Sequence, residues 1–129
     1  MKIIFLLLTF IFSNSALACF SPIKGPEYDA QVDIQKLEEK NHYRVSVPRY
    51  MKGMPNEARI ILAYSKGRPG GIPIYEKNEI LKPIIQGESL VAEFKVVEKE
   101  KRPYIVVMWW PEHAGMCGIQ ANTGYLEVE

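Results

Sequence analysis

The stretch YDAQVDIQKLEEKNHYRVSVP, residues 28–48, decides the fold class. Its first eight residues alternate apolar and polar side chains without a break, and the alternation resumes at His42 and continues up to Pro48. A period of two is the pattern of a strand with one buried face, and proline removes a ladder donor. The two segments predict a β-hairpin with EEKN at its turn. Because residues 35–40, QKLEEK, are good helix formers, a short helix there is the alternative. The residues predicted to face inward on the second strand are Tyr43, Val45 and Val47.

Further segments downstream show strand patterns between turn residues: 58–65, 72–86, 89–97, 104–110 and 119–128. Pro73 and Pro83 limit the second of these segments to a short edge strand and an extended crossing segment, and a bulge near Gly124 would restore the alternation of the last. On the third segment, one face carries Leu90, Ala92, Phe94 and Val96.

The spacing of these segments predicts the architecture. About seven short strands in about 110 residues indicate an all-β fold, a two-sheet antiparallel sandwich. The order of elements resembles an immunoglobulin-like or fibronectin-like domain in architecture only. Trp109 and Trp110 lie too late in the chain for the antibody-type tryptophan, and the cysteines are wrongly spaced for the antibody-type pair.

The N-terminus has the composition of an export signal. Lys2 precedes the apolar run 3–12, and Ala16-Leu17-Ala18 is the small-x-small pattern of a signal peptidase site. The run is too short to span a bilayer of about 30 Å as a helix. The sequence predicts a signal peptide over residues 1–18, a single domain over residues 19–129, and a periplasmic or secreted protein.

Cys19 has two competing fates. The first is a disulfide with Cys117, the only other cysteine, which an oxidising compartment favours. The predicted sandwich supports this pairing, because it places the start of the first strand and the loop of Cys117 at the same end. The second is acylation, since Ala16-Leu17-Ala18-Cys19 resembles a lipoprotein cleavage motif that lacks the usual leucine at its first position. Acylation would anchor the protein to a membrane through Cys19.

Charge and missing motifs exclude several function classes. Without Lys2, the basic residues equal the 15 acidic ones in number, so no excess of positive charge favours binding to nucleic acid. The sequence contains no nucleophile elbow, zinc-protease motif or phosphate-binding loop, and GRPGG (67–71) is read as a turn. We therefore expect a protein that is not an enzyme and that needs no cofactor.

The stretch WWPEHAGMCG, residues 109–118, concentrates side chains that bind ligands. In the predicted sandwich its loop, 111–118, lies at the same end as the loop 49–57. Thioether and imidazole groups together suit a soft metal such as Cu(I), so copper is the alternative cofactor. In the competing interpretation the methionines fill the gap between the loops and pack on Trp110. The candidate metal ligands are Met51, Met54, His113 and Met116.

The strand at 104–110 raises the question of which face is buried, because neighbours on a strand point to opposite sides. If its even-numbered residues face the core, its odd-numbered residues form an apolar outer face with the paired strand 58–65. Large exposed apolar patches often mark binding surfaces, here for another protein or for self-association. The alternatives are that residues 72–75 and 80–85 cover this face, or that a sugar or other small ligand stacks on it. The predicted binding residues are Ile61, Ile105, Val107 and Trp109.

The leading hypothesis is a small exported binding or accessory module. It would use one loop end (49–57 and 111–118) or the face around Trp109. The alternative is a periplasmic copper-binding protein that uses its methionine and histidine loops.

Overall fold

The computed structural model describes residues 22–65, 77–97, 102–112 and 117–129. These residues form one helical turn and eight strands, which make two four-stranded antiparallel sheets around a shared apolar core. The predicted all-β, two-sheet sandwich is confirmed. The elements are α1 (Pro26–Asp29), β1 (Asp33–Lys36), β2 (His42–Pro48), β3 (Arg59–Ser65), β4 (Lys77–Ile80), β5 (Ile84–Gln86), β6 (Ser89–Lys95), β7 (Arg102–Trp109) and β8 (Ile119–Asn122).

The predicted signal peptide, residues 1–18, and Cys19 lie outside the described residues. The described part of the chain contains no helix long and apolar enough to cross a membrane.

The first sheet has the strand order β1-β2-β6-β5 and the second β4-β3-β7-β8. One strand more than predicted is present because the region 72–86 contributes two, β4 at the edge of the second sheet and β5 at the edge of the first. Residues 81–83 cross from one sheet to the other between them. Pro83 lies in this crossing, where no ladder hydrogen bond is lost.

The inner faces of β2 and β6 follow the alternation seen in the sequence. In the register of the two strands, Val45 lies opposite Ala92 and Tyr43 opposite Phe94. The rings of the aromatic pair stack with their centroids 5.7 Å apart. All the residues predicted to face inward on these strands are buried in the core: Tyr43, Val45, Val47, Leu90, Ala92, Phe94 and Val96.

The hairpin of β1 and β2 is confirmed, but its first strand begins later than the alternation predicts. Pro26 and the residues after it form the helical turn α1, since proline is favoured in the first turn of a helix. The alternative helix over 35–40 is wrong, because Lys36 ends β1 and the following residues form the turn. Asn41 completes that turn with φ 58°, a left-handed conformation that asparagine tolerates.

The predicted facing of β7 is wrong. Ile105, Val107 and Trp109 are all 0% exposed and belong to the core between the sheets. The even-numbered residues lie on the outer face of the second sheet, where Tyr104 and Val106 contact Ala63 of β3.

The partner strand explains the orientation of β7. β3 pairs with β7 as predicted, and Arg59 lies opposite Met108. Directly opposed residues of an antiparallel pair share a face, and an arginine without a buried partner needs solvent. The face with Arg59 and Met108 therefore points outward. Ile61 does lie on that outer face, as predicted.

One lateral side of the sandwich, which we call the closed side, is formed by the edge strands β1 and β8. The N-terminal segment lies along β8: Ile23 forms a parallel bridge with Ile119, and the Asp29 carboxylate accepts the N–H of Asn122 at 2.9 Å. These contacts satisfy part of the free backbone edge of β8.

The C-terminal tail, residues 123–129, completes the closed side. Leu126 and Val128 are partly buried against the core. The Tyr43 hydroxyl donates to the carbonyl of Glu127. Asn41 donates to the carbonyl of Glu129 at 3.1 Å and accepts the N–H of the same residue at 2.7 Å. The tail thus connects the second sheet to the turn between β1 and β2.

The other lateral side, which we call the open side, is formed by β4 and β5. Among the described residues, the crossing segment 81–83 alone joins the sheets there, and Leu81 is its one buried residue. The flanking Ile80, Ile84 and Ile85 are 61%, 61% and 55% exposed. No described segment pairs with the outer edges of β4 and β5.

Candidate functional site

The two loops predicted to meet at one end of the sandwich do meet in their described parts. The side-chain amide of Asn56 donates to the carbonyls of Trp110 and Pro111, at 3.3 and 3.0 Å. The loop after β2 is also closed on itself, because the N–H of Ala58 donates to the carbonyl of Arg49 at 3.0 Å. The side chain of Asn56 therefore joins the two loops, and a backbone hydrogen bond closes the loop after β2.

Trp109 links the two strands from which these loops begin. Its indole N–H donates to the carbonyl of Pro48 at 3.0 Å, a hydrogen bond between the two sheets. Trp109 is thus a core residue that fixes the end of β2 against the end of β7, and not the exposed binding residue that the sequence predicted.

Trp110 is the exposed member of the tryptophan pair. It follows the last residue of β7 and is 39% exposed. The guanidinium carbon of Arg59 lies 5.8 Å from the centroid of its ring, within the range of a cation–π contact. Arg59 forms no ion pair with a described residue. Arg59 therefore places a positive charge beside an aromatic surface.

A groove of about 600 Å³ lies beside this pair. Ala58, Ile60 and Leu81 are buried and form its floor, whereas Pro83 and Trp110 form its sides. The complete set of lining residues is Asn56, Glu57, Ala58, Arg59, Ile60, Leu81, Pro83 and Trp110.

One side of the groove has a paired charge. The Glu57 carboxylate accepts from the Arg49 guanidinium, with 2.7 Å between Oε1 and both Nε and Nη2. This hydrogen bond raises the pKa of Arg49 above its ordinary value. The same guanidinium lies 5.2 Å from the centroid of the exposed Tyr50 ring. The groove therefore has a neutralised carboxylate on one side and, on the other, the cation of Arg59, which has no acidic partner within the described ranges.

The outer face of the second sheet is apolar, but the even-numbered residues of β7 form it instead of the predicted odd-numbered ones, and it is not an exposed patch. Tyr104 and Val106 are 2% and 1% exposed. Tyr125 of the C-terminal tail lies over this face, with its ring edge-on to Tyr104 at 5.9 Å. Of the predicted cover, residues 72–75 lie outside the described residues, and most of 80–85 remains exposed. The described cover comes from the tail instead.

The candidate metal site is described only in part. Met51 and Met54 form an isolated bridge, with the N–H of Met54 donating to the carbonyl of Met51 at 2.8 Å. Both are partly buried against the core, a packing that agrees with the gap-filling interpretation. His113 and Met116 lie outside the described residues. Within the described ranges, no three His, Cys, Asp or Glu side chains are grouped as metal ligands would be.

The disulfide stays a prediction, because Cys19 lies outside the described residues. Cys117 is partly buried, and next to it the N–H of Ile23 donates to the carbonyl of Gly118 at 2.8 Å. Cys19 precedes Ile23 by four residues, which span at most about 14 Å when extended. The described backbone therefore brings the N-terminal segment close enough for the predicted pair.

Sequence reasoning missed Trp110 and Arg59 as a pair. Arg59 is the one charged residue inside an otherwise apolar strand pattern, ARIILAYS, and this irregularity was the available signal. Comparison with protein-family models, curated proteins and solved structures finds no match for this chain.

Proposed function

We propose that this protein is a small exported binding or accessory module, without a catalytic site, whose contact surface is the groove beside Trp110. The observation that carries the proposal is the exposed indole of Trp110 paired with the guanidinium of Arg59, which forms no ion pair with any residue that the structure describes. Tryptophan and arginine are the side chains most often found to dominate binding energy at interfaces.

The rigidity around the groove also supports binding. Asn56 fixes both loops, and the indole of Trp109 fixes the strand ends beneath them. A surface that is ordered before its partner arrives loses less conformational entropy on association. The apolar floor with a few polar groups at its rim is the composition typical of ligand sites.

The strand order supports an immunoglobulin-like assignment of this module. The orders β1-β2-β6-β5 and β4-β3-β7-β8 correspond to A-B-E-D and C′-C-F-G in such domains. In that scheme the loops at 49–58 and 110–118 are the B–C and F–G loops, which carry the binding residues in variable domains. Export, with Cys19 either bridged to Cys117 or acylated, completes the proposal.

Photo-crosslinking from inside the groove tests the proposed surface. A photoreactive phenylalanine analogue replaces Trp110 or Pro83 in the cells that naturally make the protein, and the matched control carries it at Val97, which is 66% exposed and outside the groove. We expect one common adduct from positions 110 and 83, with a lower yield when Arg59→Ala is added. The proposal fails if position 97 gives the same adduct or if the two groove positions give none.

Copper binding is the second candidate function, and the adjacency of Met51 and Met54 is the observation that favours it. Anaerobic titration with Cu(I) is its test. We would discard this candidate if the protein binds Cu(I) no more tightly than about 10⁻⁶ M, or if the double variant Met51→Leu and Met54→Leu binds as the wild type does.

A further inference from the structure

The free edge of β5 is the least protected strand edge among the described residues. β5 pairs with β6 on one side only, and two of its residues, Ile84 and Ile85, are apolar and more than half exposed. Proteins usually cover such an edge or place charges on it, since it offers unpaired backbone groups to another chain. This edge has neither protection within its three residues.

The hairpin of β5 and β6 determines which backbone groups point outward. Gln86 lies opposite Ser89, and Gly87, with φ 60°, occupies the first position of the two-residue loop between them. The closing pair of such a hairpin is hydrogen-bonded, and bonded residues alternate along an antiparallel strand. Ile84 and Gln86 therefore bond to β6, whereas the N–H and C=O of Ile85 point away from the sheet.

We infer that a second copy of this chain pairs with this edge, antiparallel and centred on Ile85. Ile85 of each copy then exchanges both backbone hydrogen bonds with Ile85 of the other. The carbonyl of Pro83 accepts from the N–H of Gly87 in the second copy, so the missing donor of Pro83 removes only one bond in each flanking pair. The exposed side chains of the two Ile85 residues lie directly opposite each other.

Charge complementarity selects this register over its neighbours. With Ile85 opposite Ile85, Lys82 of each copy lies opposite Glu88 of the other. Both side chains are exposed, and neither forms an ion pair with a described residue. A register shifted to centre on Ile84 or on Gln86 would oppose neither residue to an opposite charge. Of these three registers, the one centred on Ile85 alone places Lys82 and Glu88 opposite residues of opposite charge.

The interface is small, so the dimer is weak. A three-residue edge and two exposed ion pairs belong to the low end of the size range of specific interfaces, and we expect a dissociation constant roughly between micromolar and millimolar. This association uses the open side of the sandwich. It shares Pro83 with the groove beside Trp110, whereas Lys82, Ile85 and Glu88 lie outside the groove lining.

Charge reversal with mixing tests the register. Lys82→Glu alone puts two glutamates opposite each other, and Glu88→Lys alone puts two lysines there. Each single variant should dimerise about fivefold or more weakly than wild type in sedimentation equilibrium. An equimolar mixture of the two variants restores both ion pairs and should form heterodimers with close to wild-type affinity. A mixture that associates no better than either variant alone would overturn the proposed register.

A substitution at the centre tests the edge itself. Ile85→Lys should abolish dimerisation. The control Val97→Lys, at an exposed apolar residue that follows the end of β6 and lies outside β5, should leave dimerisation unchanged. Amide hydrogen exchange gives a readout that needs no variant: exchange at Ile85 should slow as the protein concentration rises, while exchange at Ile84 should not change. A protein that stays monomeric at about 1 mM, or a dimer that survives Ile85→Lys, contradicts the inference.

Discussion

Each lateral side of the sandwich contains two neighbouring edge strands, one from each sheet, but the closed side and the open side differ in how far these edges are covered. On the closed side the N-terminal segment pairs along β8, and the C-terminal tail packs Leu126 and Val128 into the core. On the open side, within the part of the chain that the structure describes, the crossing segment 81–83 alone joins the layers and no segment covers β4 or β5. Intramolecular contacts are therefore concentrated on one side, and exposed apolar strand residues on the other.

The largest expected effect comes from removing the cover of the closed side. Deleting residues 126–129 removes two apolar side chains from the core and leaves the Tyr43 hydroxyl without its partner. We expect a loss of about 3 kcal/mol or more in the free energy of unfolding, measured in urea. The open-side control, Ile84→Thr, should cost no more than about 0.5 kcal/mol, because Ile84 is largely exposed. Similar losses in the two variants would remove the distinction between the sides.

A smaller effect separates the hydrogen bonds of Asn41 from its backbone conformation. Asn41 is 6% exposed, has φ 58° and makes two hydrogen bonds to Glu129. Asn41→Gly removes the hydrogen bonds but allows the conformation, and should cost about 1 kcal/mol. Asn41→Ala also introduces backbone strain, and should cost about 2 kcal/mol. If thermal unfolding shows Asn41→Gly to be less stable than Asn41→Ala, the left-handed conformation of residue 41 does not add the predicted strain to the alanine variant.

The smallest effect is a pH dependence confined to the closed side. Burial, more than any other cause, raises the pKa of Tyr43 above the ordinary 10. Because the folded pKa exceeds the unfolded one, the stability linked to this group is complete below pH 10 and is lost as the pH rises from there through the folded pKa. Tyr43→Phe should therefore lose less stability than wild type as the pH rises above about 10, in urea unfolding series. Equal slopes for the two proteins would show that Tyr43 stays neutral or that its burial has no energetic consequence.

The regular, half-buried strands could be predicted from the sequence. In β2 and β6 every second residue is apolar, so the sequence indicates both the strand period and the buried face. The structure buries all the residues predicted to face inward on these two strands. The turn at 38–41 and the hairpin it joins were also predictable. The helical turn at Pro26 was not, because it overlaps the start of the alternation, although a proline at the first helical position was a signal for it.

The face of β7 could not be read in the same way. Residues 104–107 are all buried, because β7 is a central strand with the core on one side and the tail on the other. A strand buried on both faces is apolar at every position, so its sequence carries no period. For this reason the sequence predicts Trp109 to be exposed and Trp110 to be buried, whereas the structure shows the reverse. Knowing that Arg59 lies opposite Met108 would have corrected this, but register between distant strands is not readable from one sequence.

The central pair of each sheet joins strands that lie far apart along the chain. Val45 pairs with Ala92, and Ile60 pairs with Val107. Chain entropy must be lost before such distant contacts form, so proteins of this kind fold slowly, in roughly milliseconds to seconds. A chain that leaves the ribosome or an export channel from its N-terminus can complete only short hairpins until β6 and β7 have emerged. The two sheets therefore form late and nearly together. Until β6 and β7 are available, the apolar faces of β2 and β3 remain without their central partner strands.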